Sequence, residues 1–198
     1  MTDNQRTEAD EQLLKALFAD DFKGMENAIK KGASLNTPYD NEGGYTPFLK
    51  ICKEHISPDI IEWAINHGGS VTQTTINKET PLHIMANRRS FFDALEVLIA
   101  HGADVNAVDI NGDTALMRLL AHPQVKLRMG VVWGLYDAGT DCTLENTDGQ
   151  TAYDIAEANP GFKDDEFLLV LLSDAIDAQI RKNEQIPANS NKQIASPN

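Results

Sequence analysis

The chain contains the stretch Thr80-Pro81-Leu82-His83, and the same segment ends with Gly102-Ala103-Asp104-Val105-Asn106. Threonine suits the position before a helix, because its hydroxyl accepts a hydrogen bond from a free backbone amide. Proline suits the first helical position, which has no hydrogen bond to lose. Apolar residues at helical spacing follow, namely Leu95, Leu98 and Ile99. Because glycine tolerates the left-handed conformation that ends a helix, the segment predicts two helices followed by an extended stretch.

The same plan recurs along the chain. Threonine opens a similar segment at steps of 34, 34 and 37 residues, at Thr46, Thr80, Thr114 and Thr151. Glycine keeps steps of 36, 34 and 37 residues, at Gly32, Gly68, Gly102 and Gly139. Turn dipeptides such as Asn111-Gly112 precede the threonines. Because two different markers keep closely similar steps, the sequence predicts an array of repeats.

The segment that begins Thr80-Pro81-Leu82-His83 resembles the ankyrin repeat, which has a period of about 33 residues and a T-P-L-H-x-A signature. It departs from that signature at Met85, and the other repeats are more degenerate, since Leu49, Met117 and Asp154 stand where His83 does. The resemblance implies an all-α fold, an ankyrin-type α-solenoid of about five stacked helix pairs with protruding turns or short β-hairpins.

The repeats also predict how the chain is divided. We expect a flexible acidic N-terminus over residues 1–10, an ankyrin repeat domain over residues 11–182, and a disordered tail over residues 183–198, which is rich in Asn, Ser and Pro. The expected units of the domain are an N-terminal cap (11–40), three repeats (41–74, 75–108 and 109–144) and a C-terminal cap (145–182). A longer junction at residues 121–126 accounts for the 37-residue step.

The charge balance restricts the partners. Thirty Asp and Glu against 17 Lys and Arg give a formal net charge of −13, which repels nucleic acids and anionic membranes and favours basic partners.

The run Phe167–Leu172 is too short to span a bilayer, and the first residues lack the apolar core of a signal peptide. We therefore expect a monomeric cytoplasmic protein, or one in the host cytosol if secreted, with Cys52 and Cys142 buried and unpaired.

No group of residues predicts a catalytic site, a metal site or a cofactor site. His67 and His101 precede helix-ending glycines, where an imidazole interacts well with the helix C-terminus. The resemblance gives His83 a structural hydrogen bond to a neighbouring turn. No two histidines have the spacing of a zinc-protease motif. The run Asp109–Asp113 resembles the start of a calcium loop, but the glycine and glutamate that such a loop needs are missing, which predicts a solvated turn.

Partner-binding residues are expected on one face. In ankyrin-like solenoids, the first helix of each repeat and the turn tips line a concave face that binds partners. The basic residues on or just after those helices are Lys50, Lys53, Arg88, Arg89 and Arg118. The acidic and polar turn tips carry Asp109, Asn111 and Asp113, with Asp40 and Glu42. The pattern favours either acidic tips beside a basic palm, or ordinary solvated positions.

The two tryptophans receive different predictions. Trp63 falls in the register of Val97, so we expect it in the core. Trp133 falls in the register of Glu62 and Glu96, which should face water. It is therefore either an exposed contact anchor or a partly buried cover for its small neighbour Gly134.

The sequence predicts a non-enzymatic protein–protein interaction module that binds a partner with a basic patch. Two finer alternatives are a bacterial effector that acts on a host protein and an inhibitor or immunity-type protein that neutralises a basic toxin or enzyme. A distant alternative is an enzyme or small-ligand binder. The resemblance also places Asn36 and Asn106 at the position that asparaginyl hydroxylases can modify in animal cells; a structural hydrogen bond across the turn is the competing interpretation.

Overall fold

The computed structural model describes residues 7–39, 43–54, 57–86, 92–122, 129–162 and 165–184. These ranges hold ten α-helices and no strand. In chain order the helices are α1 (Glu8–Phe18), α2 (Phe22–Lys30), α3 (Pro47–Glu54), α4 (Pro58–Asn66), α5 (Pro81–Ala86), α6 (Phe92–Ala100), α7 (Ala115–Ala121), α8 (Met129–Asp137), α9 (Ala152–Ala158) and α10 (Glu166–Glu184).

The helices form five pairs that stack in two layers. The first helices α1, α3, α5, α7 and α9 contact one another in sequence order, and we call them the first-helix layer. In the second-helix layer α4 packs on α6 and α6 on α8, while each pair is closed by contact between its own two helices. The all-α ankyrin-type solenoid predicted from the sequence is therefore confirmed.

The repeated threonines begin the first helices as predicted. The Thr114 hydroxyl accepts a hydrogen bond from the Met117 amide at 3.3 Å, and the Thr151 hydroxyl accepts one from the Asp154 amide. Asp154 completes a capping box, since its carboxylate accepts from the Thr151 amide at 2.7 Å. The threonine side chain thus satisfies an amide that the helix leaves unpaired.

The repeated glycines end the second helices. Gly102 has φ +84°, in the left-handed region that glycine enters without steric cost. Its amide donates to the Ile99 carbonyl at 2.9 Å, and the next amide, of Ala103, donates to the Leu98 carbonyl at 3.0 Å. These two bonds are the Schellman motif that closes a helix.

The turns that protrude between repeats are tight loops bonded to one another. Within a loop, the Asp109 amide donates to the Asp113 carbonyl at 3.0 Å. Between loops, the Ile110 amide donates to the Asn77 carbonyl and the Thr147 amide to the Asn111 carbonyl, each at 2.8 Å. The predicted turns are therefore present, and their hydrogen bonds run from one repeat to the next.

A continuous apolar core lies between the two layers. Its largest fully buried side chains come from both layers, among them Phe48, Leu82, Leu95, Leu98 and Leu116. Burying each such side chain contributes about 1.5–3 kcal/mol. Cys52 and Cys142 are buried free thiols, as predicted, and burial raises the pKa of Cys142 to about 11.

The first and last helices extend slightly beyond the expected repeat domain of residues 11–182, and the predicted division of the chain stays a prediction. Helix α1 begins at Glu8, and its N-cap Thr7 forms a capping box with Asp10, which also accepts from the Ser34 amide at 2.8 Å. Residues 7–10 of the expected N-terminal segment thus include the cap and the first turn of α1. Helix α10 continues to Glu184, two residues past the predicted end of the domain. Residues 185–198 of the predicted tail and residues 123–126 of the predicted junction lie outside the described residues.

Within the part of the chain that the structure describes, no helix has the length and apolarity to cross a membrane.

Candidate functional site

One position of the first-helix layer carries a basic residue in two of the repeats. The residues four positions after the repeated threonines are Lys50, Ile84, Arg118 and Ile155. Lys50 and Arg118 are thus two repeats apart on the same face, but the residue between them, Ile84, is buried. The Lys50 ammonium lies 2.7 Å from the Glu54 carboxylate. At this position of the described first helices, the basic residues Lys50 and Arg118 are therefore separated by a buried apolar residue.

Two lysines lie against aromatic rings at the start of this layer. The Lys50 ammonium lies 5.3 Å from the centre of the Phe18 ring, and the Lys53 ammonium lies 4.6 Å from the centre of the Tyr45 ring. Phe18 also meets Tyr39 edge to face, with ring centres 5.9 Å apart, and is 60% exposed. We call Phe18, Tyr39, Tyr45, Lys50 and Lys53 the lysine–aromatic patch. Such cation–π contacts help to hold a lysine side chain in place.

Arg118 is committed to a structural ion cluster. Its Nε donates to Asp109 at 2.7 Å, its Nη1 donates to Glu79 at 2.8 Å, and its Nη2 also contacts Asp109. Burial alone would lower the pKa of Arg118, but the two carboxylates outweigh it and raise that pKa. Glu79 belongs to the preceding repeat, so the cluster ties two repeats together. Both carboxylates already accept the guanidinium, which leaves little of it for a partner.

Asp109 at the turn tip is buried, whereas the sequence predicted a solvated turn residue. Asp109 is 3% exposed and accepts hydrogen bonds from the Asn111 and Asp113 amides at 2.7 and 3.1 Å, besides those from Arg118. A carboxylate can be buried when its hydrogen bonds and charge are matched. Asp113 is half-buried and accepts from the Asn146 amide group at 2.9 Å. Of the three predicted tip residues, only Asn111 is exposed.

His83 makes the predicted bond to the next repeat. Its Nε2 lies 2.8 Å from the Asp113 carbonyl, and its Nδ1 lies 2.8 Å from the Thr80 hydroxyl. Because a carbonyl only accepts, Nε2 carries the proton and Nδ1 accepts. Burial lowers the pKa of His83, which favours this neutral ring. His67 and His101 bond the Trp63 and Val97 carbonyls through Nδ1, as expected at helix C-termini.

The turn tips expose apolar side chains, which the sequence analysis missed. Ile76, Val108 and Ile110 are 59%, 43% and 56% exposed, and we call them the apolar turn tips. Ile76 and Ile110 hold the same position in consecutive turns. The available signal was an isoleucine immediately before Asn77 or Asn111, inside otherwise polar turns.

The tryptophans are both half-buried. Trp63 packs against the core but stacks on exposed His67, with ring centres 4.5 Å apart, so its assignment to the core was only partly right. Trp133 packs against Phe167 and Tyr136, with ring centres 5.7 and 6.0 Å away. For Trp133 the partly buried alternative is the correct one, and its role in binding stays a prediction.

The asparagines in the stretch after each second helix join neighbouring repeats. Asn36 donates to the Gly68 carbonyl at 2.7 Å and accepts from the Ser70 amide at 3.0 Å. Asn106 repeats this pattern two pairs further on, with the Gly139 carbonyl and the Asp141 amide. These bonds reach the next repeat rather than crossing the turn of the asparagine itself.

Some predicted residues lie outside the described residues, namely Arg88, Arg89, Asp40 and Glu42. Among the residues that the structure does describe, no three His, Cys, Asp or Glu side chains gather in a way that could hold a metal ion.

Five stacked helix pairs, joined through bonded turns, define a helical repeat protein of the solenoid class. The family model described as Ankyrin repeats (3 copies) matches residues 48–146. The chain belongs to the ankyrin repeat family. Ankyrin repeats are generally protein–protein interaction modules without enzymatic activity, and they indicate a protein partner.

The chain is also similar to curated proteins. It is 29% identical over 133 residues to Ankyrin repeat and SOCS box protein 6 of Homo sapiens. The aligned residues make up 63% of this chain and 30% of that protein. The Mus musculus protein of the same name is 33% identical over 94 residues, or 47% and 22% of the two chains. A putative ankyrin repeat protein of Rickettsia bellii (strain RML369-C) is 27% identical over 127 residues, or 64% and 52%. The chain thus spans less than a third of these mammalian relatives and about half of the bacterial one.

Proposed function

We propose that the chain binds a partner protein that has a basic surface, and that the apolar turn tips and the first-helix layer form the contact. The exposed pair Ile76 and Ile110 carries this proposal. Two isoleucines in register on neighbouring turns form an apolar patch that water solvates poorly. Covering them with a partner is favourable in proportion to the apolar area that is buried.

The bonds between turns support the same surface. The Ile110 amide is bonded to the carbonyl of Asn77, which follows Ile76, so the two tips are held side by side. A surface that is already ordered loses less conformational entropy on binding than a mobile loop does. The turn tips are therefore a preorganised contact surface.

Charge determines the kind of partner. The formal net charge is −13, and the fourth turn adds the exposed carboxylates Glu145 and Asp148 beside the apolar turn tips. Such a field speeds association with a basic partner, and salt weakens it. The partner should therefore present apolar residues ringed by lysine or arginine.

The lysine–aromatic patch is the second contact area in the proposal. With Arg118 held in its ion cluster, Lys50 and Lys53 are what the described residues retain of the predicted palm. Lys53 is exposed, so an acidic residue of the partner can reach it. The contribution of Arg88 and Arg89 stays a prediction, and binding that survives the reversal Arg88→Glu plus Arg89→Glu would contradict it.

Among the finer roles, we favour an inhibitor that neutralises a basic toxin or enzyme, because the charge of −13 suits a basic target. Action on a host protein is the alternative. Genomic neighbourhood separates them, since a toxin gene next door supports the first and a secretion-linked promoter the second. The cytoplasm is the proposed location, because a reducing compartment suits the free thiols Cys52 and Cys142.

The test is capture of the partner from native lysate, with identification by mass spectrometry at low and high salt. We expect one basic protein to be retained at low salt and released at high salt. The variant Ile76→Ser plus Ile110→Ser should lose that protein, while Ile180→Ser, an exposed apolar residue on α10, should keep it. Undiminished capture by the double variant would refute the turn-tip contact.

A further inference from the structure

The second-helix layer contains a groove between α6 and α8. Glu96, Ile99 and Ala100 line it from α6, and Trp133 and Asp137 line it from α8. Its volume is about 520 Å³, within the range of about 300–1,000 Å³ of sites that bind small molecules. It lies on the layer opposite to the first helices, so it is separate from the contact surface proposed above.

A change of residue types in α8 shapes this groove. Six residues before the repeated glycines, the second helices carry Glu26, Glu62, Glu96 and then Trp133. Gly130 and Gly134 of α8 stand where α6 has Asp93 and Val97. Two glycines inside one helix weaken it. They leave the backbone surface beside the Trp133 ring without side chains.

The Trp133 ring is held in place. Phe167 and Tyr136 contact it from α10 and α8. A ring braced on two sides loses little freedom when a ligand stacks on it. Phe167 and Val170 are themselves 62% and 56% exposed, and both belong to α10. Trp133 therefore offers a braced aromatic ring to the groove.

Two carboxylates line the same groove as this ring. Glu96 and Asp137 are exposed residues from the two opposite helices, and the structure shows neither of them paired with a described cation. Glu26, by contrast, is bonded to Lys30 at 2.7 Å. None of the described residues that line the groove is positively charged. The groove thus combines an aromatic face with two carboxylates that a cation can pair with.

We propose that this groove binds an arginine side chain presented by a protein partner. A guanidinium can stack on an indole ring while its N–H groups donate hydrogen bonds to carboxylates. The groove supplies both kinds of partner, the ring of Trp133 and the carboxylates of Glu96 and Asp137. The aliphatic part of the arginine and its neighbours would pack on Ile99 and Ala100. A lysine, as a point charge without a flat face, fits this arrangement less well.

The probe is a capped heptapeptide with one central arginine among alanines and leucines, titrated into the full chain labelled with ¹⁵N. The variant Trp63→Phe leaves Trp133 as the single indole signal. We expect this signal and the amides of Gly130 and Gly134 to shift. The same peptide with neutral citrulline in place of arginine should bind about ten-fold more weakly, and the lysine peptide should fall between. A silent indole, or equal binding of arginine and citrulline peptides, would overturn the proposal.

Carboxamide variants test the rim without changing its shape. Glu96→Gln and Asp137→Asn should each weaken the arginine peptide about two- to five-fold. Glu62→Gln is the matched control, because Glu62 holds the same register on α4, and it should leave the affinity unchanged. An equal loss in the control would mean diffuse attraction by an acidic surface and would refute a defined site. Neither result depends on the turn tips, so this proposal and the proposed function fail separately.

Discussion

Arg118 and Asp109 form a bonded pair across the start of one repeat, with Nε and Oδ2 2.7 Å apart. Asp109 lies in the turn and Arg118 in the helix that the turn introduces. The same carboxylate accepts two turn amides, so one residue shapes the turn and holds the helix against it. Arg118 then reaches back to Glu79, which makes the pair a link between repeats.

Removing the cation from this cluster should destabilise the fold. In Arg118→Met, Asp109 stays buried without its charged partner, and we expect a loss of roughly 2 kcal/mol in the free energy of unfolding. Lys50→Met changes the same register position in another repeat, where the ion pair is more exposed, and should change stability by less than about 0.5 kcal/mol. Urea unfolding at neutral pH measures both. Equal effects would contradict the assigned role of the cluster.

Substitutions of Asp109 should separate its two roles. The next repeat has Asn146 at this position, and its Oδ1 accepts the Asp148 and Gln150 amides, each at 3.0 Å. Asp109→Asn can keep the turn bonds and loses mainly the ion pair, whereas Asp109→Ala loses both. We expect the alanine variant to be about 1 kcal/mol less stable than the asparagine variant. Thermal and urea unfolding that ranked them the other way would disprove this account.

Mild acid should weaken the fold through His83. Burial lowers the pKa of His83 in the folded state, so below about pH 6.5 the unfolded chain takes up a proton that the folded chain resists. Its stabilising contribution is complete above that pH and is lost as the pH falls towards the folded-state pKa. Between pH 7.5 and 5.5 we expect a loss of about 1 kcal/mol.

The matched variant for this test is His83→Met, because Met117 fills the equivalent slot and its sulfur accepts from the Thr114 amide. Urea unfolding should show a smaller drop between the two pH values for His83→Met than for the wild-type chain. His101→Gln, a change on the surface, should keep the wild-type drop. Identical drops in all three proteins would show that His83 does not cause the pH dependence.

Phe167 should shield Trp133 from water. In a Trp63→Phe background, Phe167→Ala removes the ring 5.7 Å from Trp133. We expect red-shifted emission and stronger quenching by acrylamide, because more of the indole becomes solvated. Phe18→Ala, an exposed phenylalanine whose ring contacts are with Tyr39 and Lys50, is the control and should leave the emission unchanged. An unshifted spectrum for Phe167→Ala would show that the two rings do not pack in solution.

Much of the fold could be predicted because its signals are local. Thr114 and Met117 form a cap from residues three apart. Gly102 ends its helix because its amide donates to the Ile99 carbonyl and the amide of Ala103 donates to the Leu98 carbonyl. These choices depend on backbone conformation over a few residues, so residue types at fixed spacing reveal them. The bond from His83 to Asp113 was also expected, since its slot carries a known repeat contact.

The candidate site was predicted less well because it depends on which residues meet. Asp109 was predicted to be a solvated turn residue, since no local sequence pattern indicates that the guanidinium of Arg118, in the following helix, binds it. Trp63 looked like a core residue because Val97 holds its register, yet the larger ring reaches the surface and stacks on His67. Register gives the face of a helix, but it does not give how far a long side chain extends.

The sequence by itself determined the repeat, its two helices, their caps and the acidic charge of the protein, because each follows from composition or from spacing over a few residues. Tertiary structure alone decided that Arg118 is tied to Glu79, 39 residues away, that Ile76 and Ile110 lie side by side, and that a groove opens beside Trp133. The physical reason is that stacking brings together side chains from different repeats, and their burial and pairing depend on neighbours that are distant in the chain.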